Sequence, residues 1–363
     1  MWRALLQRQL LLPVAAAVLS LAQATCCGQD RQAPDWHLQW STSEPLPEPR
    51  ADYAAGVIDG KLIIAGGTYW DGTPGHWIRK RYSASTHAFD PVSKTWQRLP
   101  DMPSPIAFAA SAVVENTLLV FGGYTGTHVS RDIFALTSKQ GRYEWARRGQ
   151  MEAERLFASA LVVDKTVYLV GGSSRFEPYD IQGTCCTTNF ITKTVFAYDS
   201  EARNESDAWR ELGPYPGAGK WMPAVIADGK AIWVFGGVSQ LKVTDAISMS
   251  PEVMKFDLSN RTWTMVTRLP VDLTQAQPLT ALQVKKEIVL FTGQKRTWCF
   301  DPAKETYSET TPMPEGVAVD HFFYLKGKII GAGGEGQEEG PGRRSAATFT
   351  AAMETATPSQ RDK

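Results

Sequence analysis

The sequence carries no excess charge of either sign: 38 Lys and Arg stand against 38 Asp and Glu, for a formal net charge of zero. No global field therefore draws the chain to nucleic acid or to an anionic membrane surface, although a local cationic mouth is compatible with neutrality. Cysteine is scarce. Cys26, Cys27, Cys185, Cys186 and Cys299 fit no zinc spacing, and a bond between the adjacent Cys185 and Cys186 would close a strained ring. They read instead as free or singly paired loop cysteines. Long apolar runs are missing beyond the N-terminus, so no membrane-spanning helix is expected. The one apolar run, Leu10 to Leu21, follows Arg3 and Arg8 and precedes Ala22-Gln23-Ala24, a small-x-small cleavage site. Residues 1–24 thus read as a secretory signal peptide, with the mature chain periplasmic or extracellular. Lipidation at Cys26 is the competing reading, against which Gln23-Ala24-Thr25 makes a poor lipobox. Residues 25–35 read as a linker.

What the sequence does have is one sentence written repeatedly. Residues 51–67, ADYAAGVIDGKLIIAGG, read as strand, tight turn at Asp59-Gly60, strand and a glycine pair. The pattern returns in AVVENTLLVFGG ending at Gly123, LVVDKTVYLVGG at Gly172, VIADGKAIWVFGG at Gly237 and YLKGKIIGAGG at Gly334. A worn copy, LQVKKEIVLFTG, ends at Gly293. Units that cannot bury their own faces must stack, so the repeat indicates a single body despite a length that could hold two or three domains.

A second periodic signal runs through Trp40, Trp96, Trp145, Trp209, Trp263 and Tyr307, separated by 56, 49, 64, 54 and 44 residues. That period suits propeller blades of four strands. Each repeat supplies the hairpin, a variable loop, a third strand ending in a polar reversal such as THAFDPVSKT, and a fourth strand carrying the aromatic residue. The spacing resembles the kelch repeat and implies an all-β, six-bladed kelch β-propeller over residues 36–354, with residues 355–363 a frayed tail. The last repeat has no terminal Trp strand, whereas an unpaired one stands at Trp36 to Ser41. The N-terminal strand is therefore expected to close the ring and remove both free sheet edges. The glycines read as points of close backbone approach and the tryptophans as filling between blades.

A hairpin places the entry of its first strand beside the end of its second, so one position per blade should recur around a common mouth. Counting back 16 from the first residue of each pair gives Arg50, Ile106, Arg155, Lys220, Ala276 and Val317. Just after the pairs stand Thr68, Tyr124, Ser173, Val238, Gln294 and Glu335. Three cations at one ring position should converge, and guanidinium suits a carboxylate. The alternative is a solvated ring partnered by Glu335 or Glu315. The loop TYWDGTPGHWIRKRY, residues 68–82, adds Tyr69, Trp70 and Trp77 as flat faces, Asp71 and His76 as hydrogen-bonding groups, and Arg79, Lys80 and Arg81 as charge. Aromatic platforms beside polar groups suit a sugar ring, with Trp221 as a further wall. The alternative is a loop packing its aromatics on the rim. The loop 173–189 could serve as a lid.

With AGGTYWDGTPG after its first hairpin, the chain resembles the N-acetylneuraminate epimerase family, also called cyclically permuted mutarotases. The resemblance implies interconversion of sialic acid anomers by general acid/base ring opening, with no metal or organic cofactor, on an acidic sugar. It assigns Glu335 and Arg155 as catalytic residues. Arg50, Lys220, Tyr69, Trp70, Asp71, His76, Tyr124, Trp221 and Arg343 become substrate-binding residues. A non-catalytic kelch module gripping a carbohydrate or an acidic protein partner fits the same features. A copper oxidase on the same propeller would need paired His ligands, whereas the five histidines are scattered and no Tyr-His dipeptide occurs. Asp320-His321 reads as an acid/base pair or as a hydrogen-bonded strand element, and Asn204 and Asn260 begin glycosylation sequons.

Overall fold

The computed structural model describes residues 34–73, 76–174, 191–204, 207–240, 248–276, 278–336 and 344–355. The segment expected to be a signal peptide, most of the expected linker and nearly all of the expected tail lie outside them, as do Cys26, Cys27, Cys185, Cys186 and Arg343.

In the first repeat, strands Ala54–Ile58 and Lys61–Ala65 pair across a two-residue turn. Asp59 and Gly60 take φ of 51° and 68°, the left-handed pair that a right-twisted hairpin requires. Strands Thr86–Asp90 and Thr95–Leu99 complete an antiparallel sheet of four. The same order recurs over residues 110–150, 159–214, 224–268 and 279–310. In the sixth sheet, Phe323–Leu325, Lys328–Ala332 and Thr348–Thr355 are joined by the N-terminal strand Trp36–Ser43. That strand pairs antiparallel with the last one, from Trp36 opposite Thr355 to Ser43 opposite Thr348. Among the described residues the only helix is the short Val271–Gln275.

Apolar alternation along these strands buries side chains between neighbouring sheets. Ile63 and Ala65 of the first sheet pack with Leu118, Val120 and Leu136 of the second. Trp36, Leu38 and Phe349 of the sixth pack with Val289 and Phe291 of the fifth. Each such aliphatic side chain contributes roughly 1.5–3 kcal/mol. The outer-strand tryptophans bridge sheets as their spacing predicts. Trp145 donates its indole N–H to Pro100 O at 3.2 Å, and Trp40 meets Phe291 and Phe322 edge-on at 6.0 and 6.1 Å. Cys299 sits in a central strand rather than a loop, and burial pushes its thiol pKa up.

The glycine pairs are joints between sheets. Gly171 takes φ +66°, and a Cβ there would lie 2.2 Å from Lys220 O of the next sheet. The second glycine of a pair donates its N–H to that entry strand: Gly67 to Ile106 O, Gly123 to Arg155 O, Gly172 to Lys220 O and Gly334 to Arg50 O, at 2.7–2.8 Å. Only a residue without a side chain permits that approach. Four of the six positions counted back by 16 are therefore acceptors of the inter-sheet seam.

Candidate functional site

The first strands of all six sheets line a central channel of about 540 Å³. Its wall is mostly small and apolar, with Ala55, Ala110, Ala112, Ala158 and Ala160 among its residues. Polar and aromatic groups gather at the strand-entry end. There Asp52, Phe108, Phe157, Met222 and Pro278, each two residues beyond a counted position, ring the mouth, with Val319 and Asp320 in the segment that leads into the sixth sheet.

Four of these residues have left-handed backbones: Asp52, Phe108, Phe157 and Met222 have φ of 61°, 59°, 56° and 50°. Such a conformation costs a bulky residue about 1–2 kcal/mol. It is offset by a belt of backbone hydrogen bonds from sheet to sheet. Phe108 N–H donates to Asp52 O at 2.9 Å, Phe157 N–H to Phe108 O at 2.8 Å, and Met222 N–H to Phe157 O at 2.7 Å. Pro278 has no N–H to continue it. On the other side Asp320 takes over with its side chain, accepting Asp52 N–H on Oδ2 at 2.8 Å.

Between the first and sixth sheets this produces a cluster of acids around one cation. Arg344 is buried and pairs with Asp52 at 3.2 Å and with Glu335 at 2.8 Å. It also donates to Thr68 Oγ1 at 3.1 Å through Nε, and Thr68 donates to Asp52 Oδ2 at 2.6 Å. Burial opposes the charge on Arg344, but Asp52 and Glu335 outweigh it and raise its pKa. Asp320 is shifted the other way. Burial, and then the negative charge of Asp52, push its pKa well above the ordinary carboxylate range, against the lowering effects of the Asp52 N–H and of Arg344. A carboxyl whose pKa is raised thus lines the channel beside Asp52, which is paired with Arg344. The neighbouring His321 is kept neutral, burial pushing its pKa down to about 4.

The opposite half of the mouth is aromatic. Phe108 and Phe157 meet at 4.5 Å between centroids, Trp221 meets Phe157 edge-on at 4.4 Å, and Tyr82 meets Tyr124 at 5.3 Å. The hairpin of Thr68–Thr73 and His76–Tyr82 stands beside them. On it Trp70 is buried, Tyr69 is 39% exposed, and Asp71 pairs with Arg81. The side chains of His76 and Trp77 lie outside the described residues.

The three cations expected to converge on the mouth do not line the channel. Arg50, 1% exposed, donates to Gly66 O at 2.9 Å and Ser85 O at 3.2 Å, and pairs with Glu48. Arg155 donates to Gly171 O at 2.8 Å and Thr194 Oγ1 at 3.1 Å, and lies over the Phe196 ring. Lys220 is fully buried and donates to Ser250 Oγ at 2.5 Å and Glu252 at 2.7 Å. Burial lowers the pKa of all three, that of Arg155 to about 10. They fasten each hairpin to the third strand of its own sheet. The left-handed turn two residues later is the reason: it directs the following side chain, not the cation, at the axis. Of the other candidates, Glu335 stands in the acid cluster with its side chain 48% exposed, while Tyr124 and Trp221 are buried in the aromatic half. Asp52, Phe108, Phe157 and Met222 were not singled out from sequence, although an offset of two from the counted positions finds them. Arg344 is legible in sequence beside Arg343 in the Gly334-Glu335 arrangement, in which Arg343 is the residue assigned to binding.

These features can be set beside known proteins. The KLHDC2/KLHL20/DRC7 Kelch-repeats domain model matches residues 29–172 and, overlapping, 100–293. Kelch-like protein terF of Aspergillus terreus is 25% identical over 76% of this chain and 56% of its own length. Beta-scruin of Limulus polyphemus is 24% identical over 65% of this chain and 24% of its own. The chain thus spans little more than half of the first relative and about a quarter of the second. Among solved structures, that of YjhT covers 86% of this chain and all of its own at a TM-score of 0.64 and 15% identity, a likeness of fold. With the model match spanning most of the repeats and five of the six four-stranded sheets bearing their glycine pairs, the chain belongs to the kelch-repeat family and folds as a kelch β-propeller.

Proposed function

We propose that this propeller binds an acidic sugar at its channel mouth and interconverts the anomers, with Asp320 as general acid and Asp52 as general base. The observation that carries the reading is the pair itself: two carboxyls in one channel mouth, Asp320 accepting the Asp52 N–H and raised in pKa, and Asp52 paired with Arg344. Ring opening needs both states at once. Asp52 takes the proton of the anomeric hydroxyl while Asp320 gives its proton to the ring oxygen, and the bond between the anomeric carbon and that oxygen breaks. After rotation, the chain hydroxyl returns its proton to Asp320 as it attacks the other face of the carbonyl, and Asp52 reprotonates the new anomeric oxygen. No proton or electron is gained or lost over the cycle. Phe108 and Phe157 offer the apolar face against which the sugar's C–H face would stack. Glu335 supports the site through Arg344.

The test is NMR saturation exchange between the anomers of N-acetylneuraminate. Wild type should accelerate exchange, and Asp320→Asn and Asp52→Asn should each lose roughly 10²–10⁴-fold. Line broadening of the sugar without acceleration would leave a carbohydrate-binding module and refute the catalytic roles.

A further inference from the structure

With Arg50, Arg155 and Lys220 committed to their own sheets, an acidic ligand needs another cation. We propose that Lys80 holds the ligand's carboxylate and sets the preference for charged over neutral sugars, an inference that rests on the reading of the mouth as a sugar site. Lys80 lies on the second strand of the mouth hairpin, directly opposite Trp70. Its Nζ lies 5.6 Å from the centroid of the Trp70 ring and 5.6 Å from that of Phe108. Phe108 lines the channel and donates its backbone N–H to Asp52 O, so the ammonium stands over a ring that borders the channel beside Asp52.

Of the neighbouring cations, two are paired, and Arg79 is exposed on the other face of the strand from Lys80. Arg81 pairs with Asp71 on the same hairpin, and Arg344 with Asp52 and Glu335. Among the described residues Lys80 is in no ion pair; it is half-buried, with two ring faces as its neighbours. Ring faces attract an ammonium but satisfy none of its three N–H donors. A carboxylate arriving on a sugar stacked against Phe108 would accept from Nζ while the anomeric centre faces Asp52 and Asp320. The aliphatic stem of Lys80 stays packed in either case, so the charge can be removed without removing the wall.

The experiment measures the affinity of wild type, Lys80→Met and Lys80→Arg for N-acetylneuraminate and for its methyl ester. Melting temperatures serve as the folding control. Wild type should prefer the acid, with a preference that weakens as salt is raised. Lys80→Met should weaken binding of the acid about tenfold to a hundredfold and leave the ester unchanged, and Lys80→Arg should restore most of the loss. If wild type prefers the acid but a folded Lys80→Met does so equally, the role of Lys80 is overturned while the sugar site stands. Equal binding of acid and ester by wild type overturns it as well. Binding of neither sugar removes the site reading and this inference together.

Discussion

At the scale of single residues, Asp320 has the most consequence, because one carboxyl does two things: it caps the backbone of Asp52 and lines the channel. Its pKa is raised in the folded chain. The protonated form therefore stabilises the fold fully below the ordinary carboxylate pKa of about 4, and that contribution is lost as pH rises toward the folded value. Asp320→Asn keeps an acceptor for the Asp52 N–H and cannot ionise. The difference in stability between variant and wild type should therefore drift in the variant's favour from about pH 4 upward, measured by urea denaturation at a series of pH values. A flat difference would mean that Asp320 titrates as an ordinary exposed carboxyl and would remove it as the acid. His321 runs oppositely: its lowered pKa favours the fold above about 6.5, and that stability is lost as pH falls toward about 4.

At the scale of the repeating element, the count of 16 residues was legible in the sequence and corresponds to a real contact: Arg50 reaches Gly66 O, and Arg155 reaches Gly171 O. What could not be read was the direction of the side chain. Spacing fixes which backbone atoms come near each other. Whether a side chain then points along its sheet or into the channel depends on the dihedrals after it, and the left-handed turn at Phe108, Phe157 and Met222 is taken by residue types that rarely adopt it. Glycine pairs and aromatic spacing, in contrast, reported the sheets faithfully because those residues meet their structural partners directly. Two substitutions separate seam from site. Arg155→Met leaves Gly171 O without its donor and should cost about 1–3 kcal/mol in denaturation, with sugar affinity unchanged. Gly171→Ala must displace the Lys220 carbonyl and adopt φ +66°, so it should cost more. Loss of ligand affinity in a folded Arg155→Met would return that arginine to the site.

At the scale of the whole molecule, the sixth sheet is built from both ends of the repeat array. Deleting residues 34–43 removes Trp36 and Leu38 from the core they share with Phe291 and Phe349, and leaves the backbone edge of Thr348–Thr355 unpaired. Such an edge templates association. The truncated chain should elute from size exclusion as soluble aggregate or be recovered insoluble, and a monomeric, cooperatively melting product would show that the strand is dispensable.

That arrangement also sets a timetable. Ser41 lies in the first of the described strands, yet its partner Thr350 lies 309 positions later, so the two cannot meet until translation is nearly complete. The five intervening sheets can form as they emerge, each from neighbours in sequence, while the leading strand with its two large apolar side chains waits. The final joining closes the longest loop in the molecule, which makes it the slow step of maturation and the point at which a chaperone would be of most use.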